Sequence, residues 1–139
     1  MESVQFELLN GNKYTMKEPN AMQRMVIAGL AGKHQLLGDV PASDVDNFFK
    51  SARKQAEGKK LTDKENSSMF NFAMLLNNKI LMMMGEDAEA MFNLMAGMSN
   101  LPKGEMKELC GSDFDIVFNA FKRVGGISAF MKSVTNLSM

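Results

Sequence analysis

The chain has no tryptophan, one cysteine, one histidine, one tyrosine and three prolines among its 139 residues. A lone cysteine, Cys110, excludes an intramolecular disulfide and points to a reducing, cytoplasmic setting. With one histidine and one cysteine there is no donor set for a zinc site, and no D-x-D-x-D-G loop supplies calcium ligands. No metal or other cofactor is therefore expected. His34 lies in a polar connection between Gly32 and Gly38. Nothing beside it signals a nucleophile or an orienting partner, so it reads as a surface residue rather than a general base. Cys110, between Leu109 and Gly111, reads as a small buried hydrophobe, because nothing signals a neighbour that would activate its thiol. Neither G-x-x-x-x-G-K-[ST] nor G-x-G-x-x-G occurs, so no phosphate-cradling loop is supported. With no catalytic motif anywhere, the chain reads as non-enzymatic.

Charge of one sign is also lacking. Lys plus Arg number 16 and Asp plus Glu number 16. A general phosphate-backbone binder needs a positive excess, so nucleic acid is not an expected partner. The densest basic stretch is Lys50, Arg53, Lys54, Lys59, Lys60 and Lys64. Glu57 and Asp63 dilute it, no aromatic follows Phe49 within it, and it reads as a solvated helix face. A helical nucleic-acid-binding regulator is accordingly the weakest binding reading. Zero net charge also leaves little repulsion to oppose self-association, and a homo-oligomer is expected. The N-terminus, MESVQFELLNG, lacks the basic and apolar regions of a secretory signal. The most apolar run, Met69 to Met84, is interrupted by Asn71, Asn77, Asn78 and Lys79 and is shorter than the roughly 20 residues of a membrane span.

What the chain does have is methionine: 15 Met, alongside 10 Phe. Met fills irregular gaps in cores and also coats surfaces that bind varied apolar partners. The run MFNFAMLLNNKILMMM winds apolar residues around most of a helix, which implies cover on several sides. It is the expected central helix, from about Asp63 to Met84, with Thr62 and Glu65 as its capping box and Gly85 as its stop. Leu76 and Leu81 should both be buried.

The other elements follow in order. Val4, Phe6 and Leu8 alternate, as do Tyr14 and Met16 after Asn10-Gly11-Asn12, which predicts a β-hairpin over residues 1–18. Putting Leu8 opposite Tyr14 and Phe6 opposite Met16 gives one apolar face, with a three-residue loop and Asn12 in the left-handed position. Pro19 suits the start of a helical body over residues 19–139. Its stripes are Met22, Met25, Val26, Gly29 and Leu30; then Val45, Phe48, Phe49, Ala52 and Ala56; then Met91, Leu94, Met95 and Met98 behind Glu86, Asp87 and Glu89. A short helix carries Met106 and Leu109. Ser112 caps a helix with Phe114, Val117, Phe118, Phe121 and Val124 on one side. Gly125-Gly126 precedes a last segment bearing Ile127, Phe130, Met131, Val134 and Leu137. The fold class is mainly α: a single domain, a bundle of about six or seven helices around a central apolar helix, with a small N-terminal hairpin.

Apolar stripes at helical spacing are usually core, but an excess of Met also suits a groove for a partner helix. The candidate partner-binding residues are Met22, Met25, Met91, Met95, Met98, Phe130 and Met131. The last segment, following two glycines, is the best candidate for an element that swings out to dock or exchange.

The stretch FELLNGNKYTMKEPNAMQRM resembles the start of the small tail-assembly chaperones of long-tailed bacteriophages, which open on a short hairpin with an N-G or D-G turn, then Y/V-T-Φ-K/R-E-P, then helices. Phe6, Leu8, Asn10, Gly11, Tyr14, Thr15, Met16, Lys17, Glu18 and Pro19 carry the match, over roughly the first quarter of the chain. The resemblance implies a non-enzymatic protein of the host cytoplasm. Such a protein binds the long, coiled-coil-rich tape-measure protein, as a helical oligomer, until tail-tube subunits replace it. It carries over no catalytic residue. The reading is a helical protein-binding chaperone or assembly factor; the alternative is a structural subunit of a viral particle or other assembly.

Overall fold

The structure, a computed structural model, describes the backbone of residues 2–137 and the side chains of residues 2–133. Two antiparallel strands, β1 (Ser3–Glu7) and β2 (Lys13–Lys17), precede seven helices: α1 (Ala21–Lys33), α2 (Ala42–Ala56), α3 (Asp63–Glu86), α4 (Ala88–Met98), α5 (Lys103–Lys107), α6 (Gly111–Arg123) and α7 (Gly126–Leu137). The mainly α class with an N-terminal hairpin is thus as the periodicities predict.

The hairpin has the predicted apolar face but a register two residues away from the predicted one. Phe6 pairs with Tyr14 and Val4 with Met16. The three-residue loop is Leu9-Asn10-Gly11, closed by the Leu8 N–H donating to the Asn12 carbonyl at 2.9 Å. The reason is conformational. The last residue of such a loop takes a left-handed backbone, and Gly11, at φ 89°, adopts it without the Cβ penalty that Asn12 would carry. A shift of two preserves side-chain parity, so Phe6, Leu8 and Met16 still point inward and are buried. Phe6 and Tyr14 stack at 5.7 Å. The hairpin rests on α6 and α4, and the Leu9 N–H donates to Asp113 Oδ1 in the first turn of α6 at 3.0 Å.

Two helices lie at the heart of the packing. α7 lies against α1, α3 and α6, while α4 lies against α1, α3, α5 and β2. The core collects Ile27 and Leu30 from α1, Met91, Leu94, Met95 and Met98 from α4, Val117 and Phe121 from α6, and Ala129 and Phe130 from α7. Burying each large apolar side chain contributes about 1.5–3 kcal/mol.

The long helix α3 starts as expected. The Glu65 N–H donates to Thr62 Oγ1, and the Thr62 N–H returns to Glu65 Oε1, both at 3.1 Å. It does not stop at Gly85. It runs on to Glu86, and Asp87 both ends α3 and precedes α4. Nor is it enclosed. Phe72, Leu76, Ile80 and Met83 form one buried stripe against α2, α4 and α7. The opposite side stays in solvent, so Leu81, expected to be buried, is 43% exposed. α2, α4 and α7 all pack on the stripe side of α3, and no further helix covers the other side among the described residues.

Three further expectations are corrected. The α6 N-cap is Cys110 rather than Ser112, and Cys110 is exposed rather than buried. A capping box at the start of α1, Asn20 with Gln23, reciprocates at 2.9 Å in both directions and has no counterpart among the predicted caps. Finally, Gly125-Gly126 is no hinge. Gly125 makes the turn at φ 90°, and a Cβ at Gly126 would lie 2.3 Å from the Phe121 ring. With Phe130 fully buried, α7 is a core helix. The side chains of Val134 and Leu137 lie outside the described residues.

Candidate functional site

The predicted partner-binding residues divide sharply. Met91, Met95, Met98 and Phe130 are core and present no surface, while Met131 is half-buried. Met22 and Met25 stand out in solvent at 76% and 73% exposure, with Val26 beside them. The inner face of α1 is taken by Ile27, Leu30 and Ala31. Positions 22, 25, 26 and 29 are spaced three and four apart, so they share the outer face. The residue completing that face is Gly29. Its backbone is not left-handed, and a Cβ there would meet no atom within 4 Å. A helix-interior glycine costs about 1 kcal/mol relative to alanine, and nothing among the described residues requires this one.

A second exposed apolar face lies along α3: Phe70, Met74, Leu75, Leu81 and Met82. These residues belong to the run expected to be covered on several sides. The sequence signal that marks them is the polar interruption itself, since Asn71 and Asn78 fall on the same exposed side. Beside this face, the connection at residues 34–40 and α3 enclose an open cleft of ≈ 320 Å³, lined by Leu36, Leu75, Asn78, Met82 and Met83 with His34 and Glu86 at its end. Lys79 closes onto Asp39 across it.

His34 is not a free surface residue. It is half-buried at the junction of α1, α3 and α4. Its Nε2 lies 3.0 Å from Asp87 Oδ2 and its Nδ1 3.4 Å from Glu86 Oε2. Lys33 Nζ donates to the same Asp87 oxygen at 2.9 Å. The hydrogen bond from His34, then that from Lys33, holds the Asp87 carboxyl below the usual carboxylate range. The cluster ties α1 to the α3–α4 junction, where Asp87 ends one helix and precedes the next. The network brings together a histidine, a lysine and two carboxylates.

The basic stretch is partly neutralised. Lys50 pairs with Asp46 at 3.1 Å, Lys54 with Glu65 at 2.8 Å and Lys59 with Glu57 at 3.0 Å. Among the described residues, no group of three or more His, Cys, Asp or Glu could hold a metal ion, and no helix is long and apolar enough to cross a membrane. The surface features that stand out are therefore the two apolar helix faces. Compared with protein-family models, curated proteins and solved structures, the chain matches none.

Proposed function

We propose that this chain is a non-enzymatic, protein-binding assembly factor of the tail-assembly chaperone type, which holds an apolar helix of a coiled-coil-rich partner until that partner is incorporated. The observation that carries the reading is the outer face of α1, where Met22, Met25 and Val26 are exposed around Gly29. Exposed methionines adapt to imperfectly matched apolar side chains. The glycine lets a partner helix approach the α1 backbone closely at a position where the chain's own packing uses no space. Apolar burial and dispersion supply the affinity, and no directional chemistry is required. A partner of this kind is an amphipathic helix read through anchors at i, i+3, i+4 and i+7. The N-terminal resemblance to phage tail chaperones points to a tape-measure protein as the natural example.

The test uses a fluorescent synthetic amphipathic helix bearing a Leu/Met stripe, titrated against the intact chain by anisotropy. Met25→Glu places a charge in the middle of the proposed contact at an exposed position, so folding is retained while affinity falls at least tenfold. Equal affinity in the parent and in a folded Met25→Glu variant would refute the α1 face as the docking site.

A further inference from the structure

We propose that the outer face of α3 is the docking site for a second copy of this chain, packed antiparallel α3 against α3 with the two-fold axis at Asn78. The proposal is independent of partner capture on α1. An isologous interface must be self-complementary, and a helix crossing its own copy antiparallel needs matching residues at equal distances on either side of the axis. The four exposed apolar residues nearest Asn78 meet that condition. Leu75 and Met74 lie three and four residues before Asn78, and Leu81 and Met82 lie three and four after it. All four side chains are exposed, as is Asn78. In the antiparallel pair, Met74 faces Met82 of the second copy and Leu75 faces its Leu81. Phe70, eight residues before the axis, comes opposite Glu86 of that copy at the end of the contact, with Gly85 one position nearer the axis.

Electrostatics fit the same occupant. Between Glu65 and Glu86 the only charged residue of α3 is Lys79, and its side chain is 19% exposed and tied to Asp39. Two copies of this face therefore meet along its centre without like-charge repulsion. Asn78 carries both a donor and an acceptor, so at the axis it can pair with its own copy. A single polar residue in such a seam sets register and orientation at some cost in stability. The face from Phe70 to Gly85 is about 23 Å long. One helix pair of that length buries less than the roughly 1,600 Å² of a standard interface. The expected dimer is therefore reversible and dissociates in the micromolar range.

Sedimentation of the intact chain over a range of concentrations should show a monomer–dimer equilibrium. Met74→Glu and Met82→Lys, both at exposed positions, should each raise the dissociation constant at least tenfold while circular dichroism stays that of the parent. Mixing the two variants should restore association, because the carboxylate introduced in one chain then faces the ammonium introduced in the other. Mixing Met74→Glu with Met74→Lys should not, since a residue faces its own copy only in a parallel pair. A monomer at all concentrations, dimers indifferent to both single substitutions, or rescue by the second mixture in place of the first would each overturn the proposal. So would a monomer whose α3 face becomes protected only when the synthetic amphipathic helix is added. Met25→Glu should leave the dimer unchanged, so failure of the α3 contact and failure of the α1 contact are read separately.

Discussion

Replacing Gly126 by alanine sets two effects of opposite sign against each other. The backbone at Gly126 is not left-handed, and helical propensity alone would favour alanine by up to about 1 kcal/mol. The added methyl, however, would sit 2.3–2.5 Å from three atoms of the Phe121 ring, against an ordinary carbon–carbon separation of about 3.5–4.0 Å. Relief requires a shift of more than about 1 Å in a close-packed interior, where such shifts are resisted. Phe121 is fully buried and stacked on Phe118 at 6.0 Å, so its ring has no open space to enter. Overpacking of this kind costs about 1–3 kcal/mol. The severity of the clash puts the net effect near ~2 kcal/mol of destabilisation after the propensity gain. In urea this lowers the midpoint by roughly 1 M at an unchanged slope. Gly29→Ala is the matching control: a helical glycine with open space, where alanine should stabilise by up to about 1 kcal/mol. If Gly126→Ala were as stable as the parent, or more so, the packing of α7 on α6 described above would be refuted.

Leu76→Ala should cost about 2–5 kcal/mol because Leu76 is buried on the inner stripe of α3. Leu81→Ala, on the exposed side, should stay within about 0.5 kcal/mol when thermal unfolding is measured at low protein concentration; equal losses would show that α3 is enclosed after all. Asp87 predicts a pH dependence of definite sign. Its folded pKa is depressed by His34 and then Lys33, so its stabilising contribution is complete above the unfolded carboxylate value of about 3.9 and is lost as pH falls through the lower folded value. Urea midpoints measured from neutral to acidic pH should therefore fall less steeply below about pH 4 in Asp87→Asn than in the parent, and parallel curves would remove Asp87 from the linkage.

Local structure was legible in the chain, because the forces that decide it act within a turn or two. Alternation of Val4, Phe6 and Leu8 with a glycine-containing turn specified the hairpin and its inward face. The Thr62–Glu65 box specified where α3 begins, since cap and acceptor lie within one turn. The stripe of Met91, Leu94, Met95 and Met98 specified the buried side of α4. How many sides of each helix are covered is carried by no local pattern, and packing alone settled it. Met22, Met25, Met91 and Met95 are equivalent as members of apolar stripes. Yet α4 is surrounded by α1, α3, α5 and β2, while the outer face of α1 has no neighbour among the described residues. The apolar content of α3 likewise implied cover on several sides, but the available helices cover only the stripe through Phe72, Leu76, Ile80 and Met83. The role of Gly125-Gly126 was ambiguous for the same reason. Two glycines specify a turn or a close approach equally well, and only the position of the Phe121 ring against Gly126 made this one a packing contact. His34 acquired its partners in the same way, from Glu86 and Asp87 more than fifty residues away. Pairing over that separation depends on how helices stack and not on the residues that flank it.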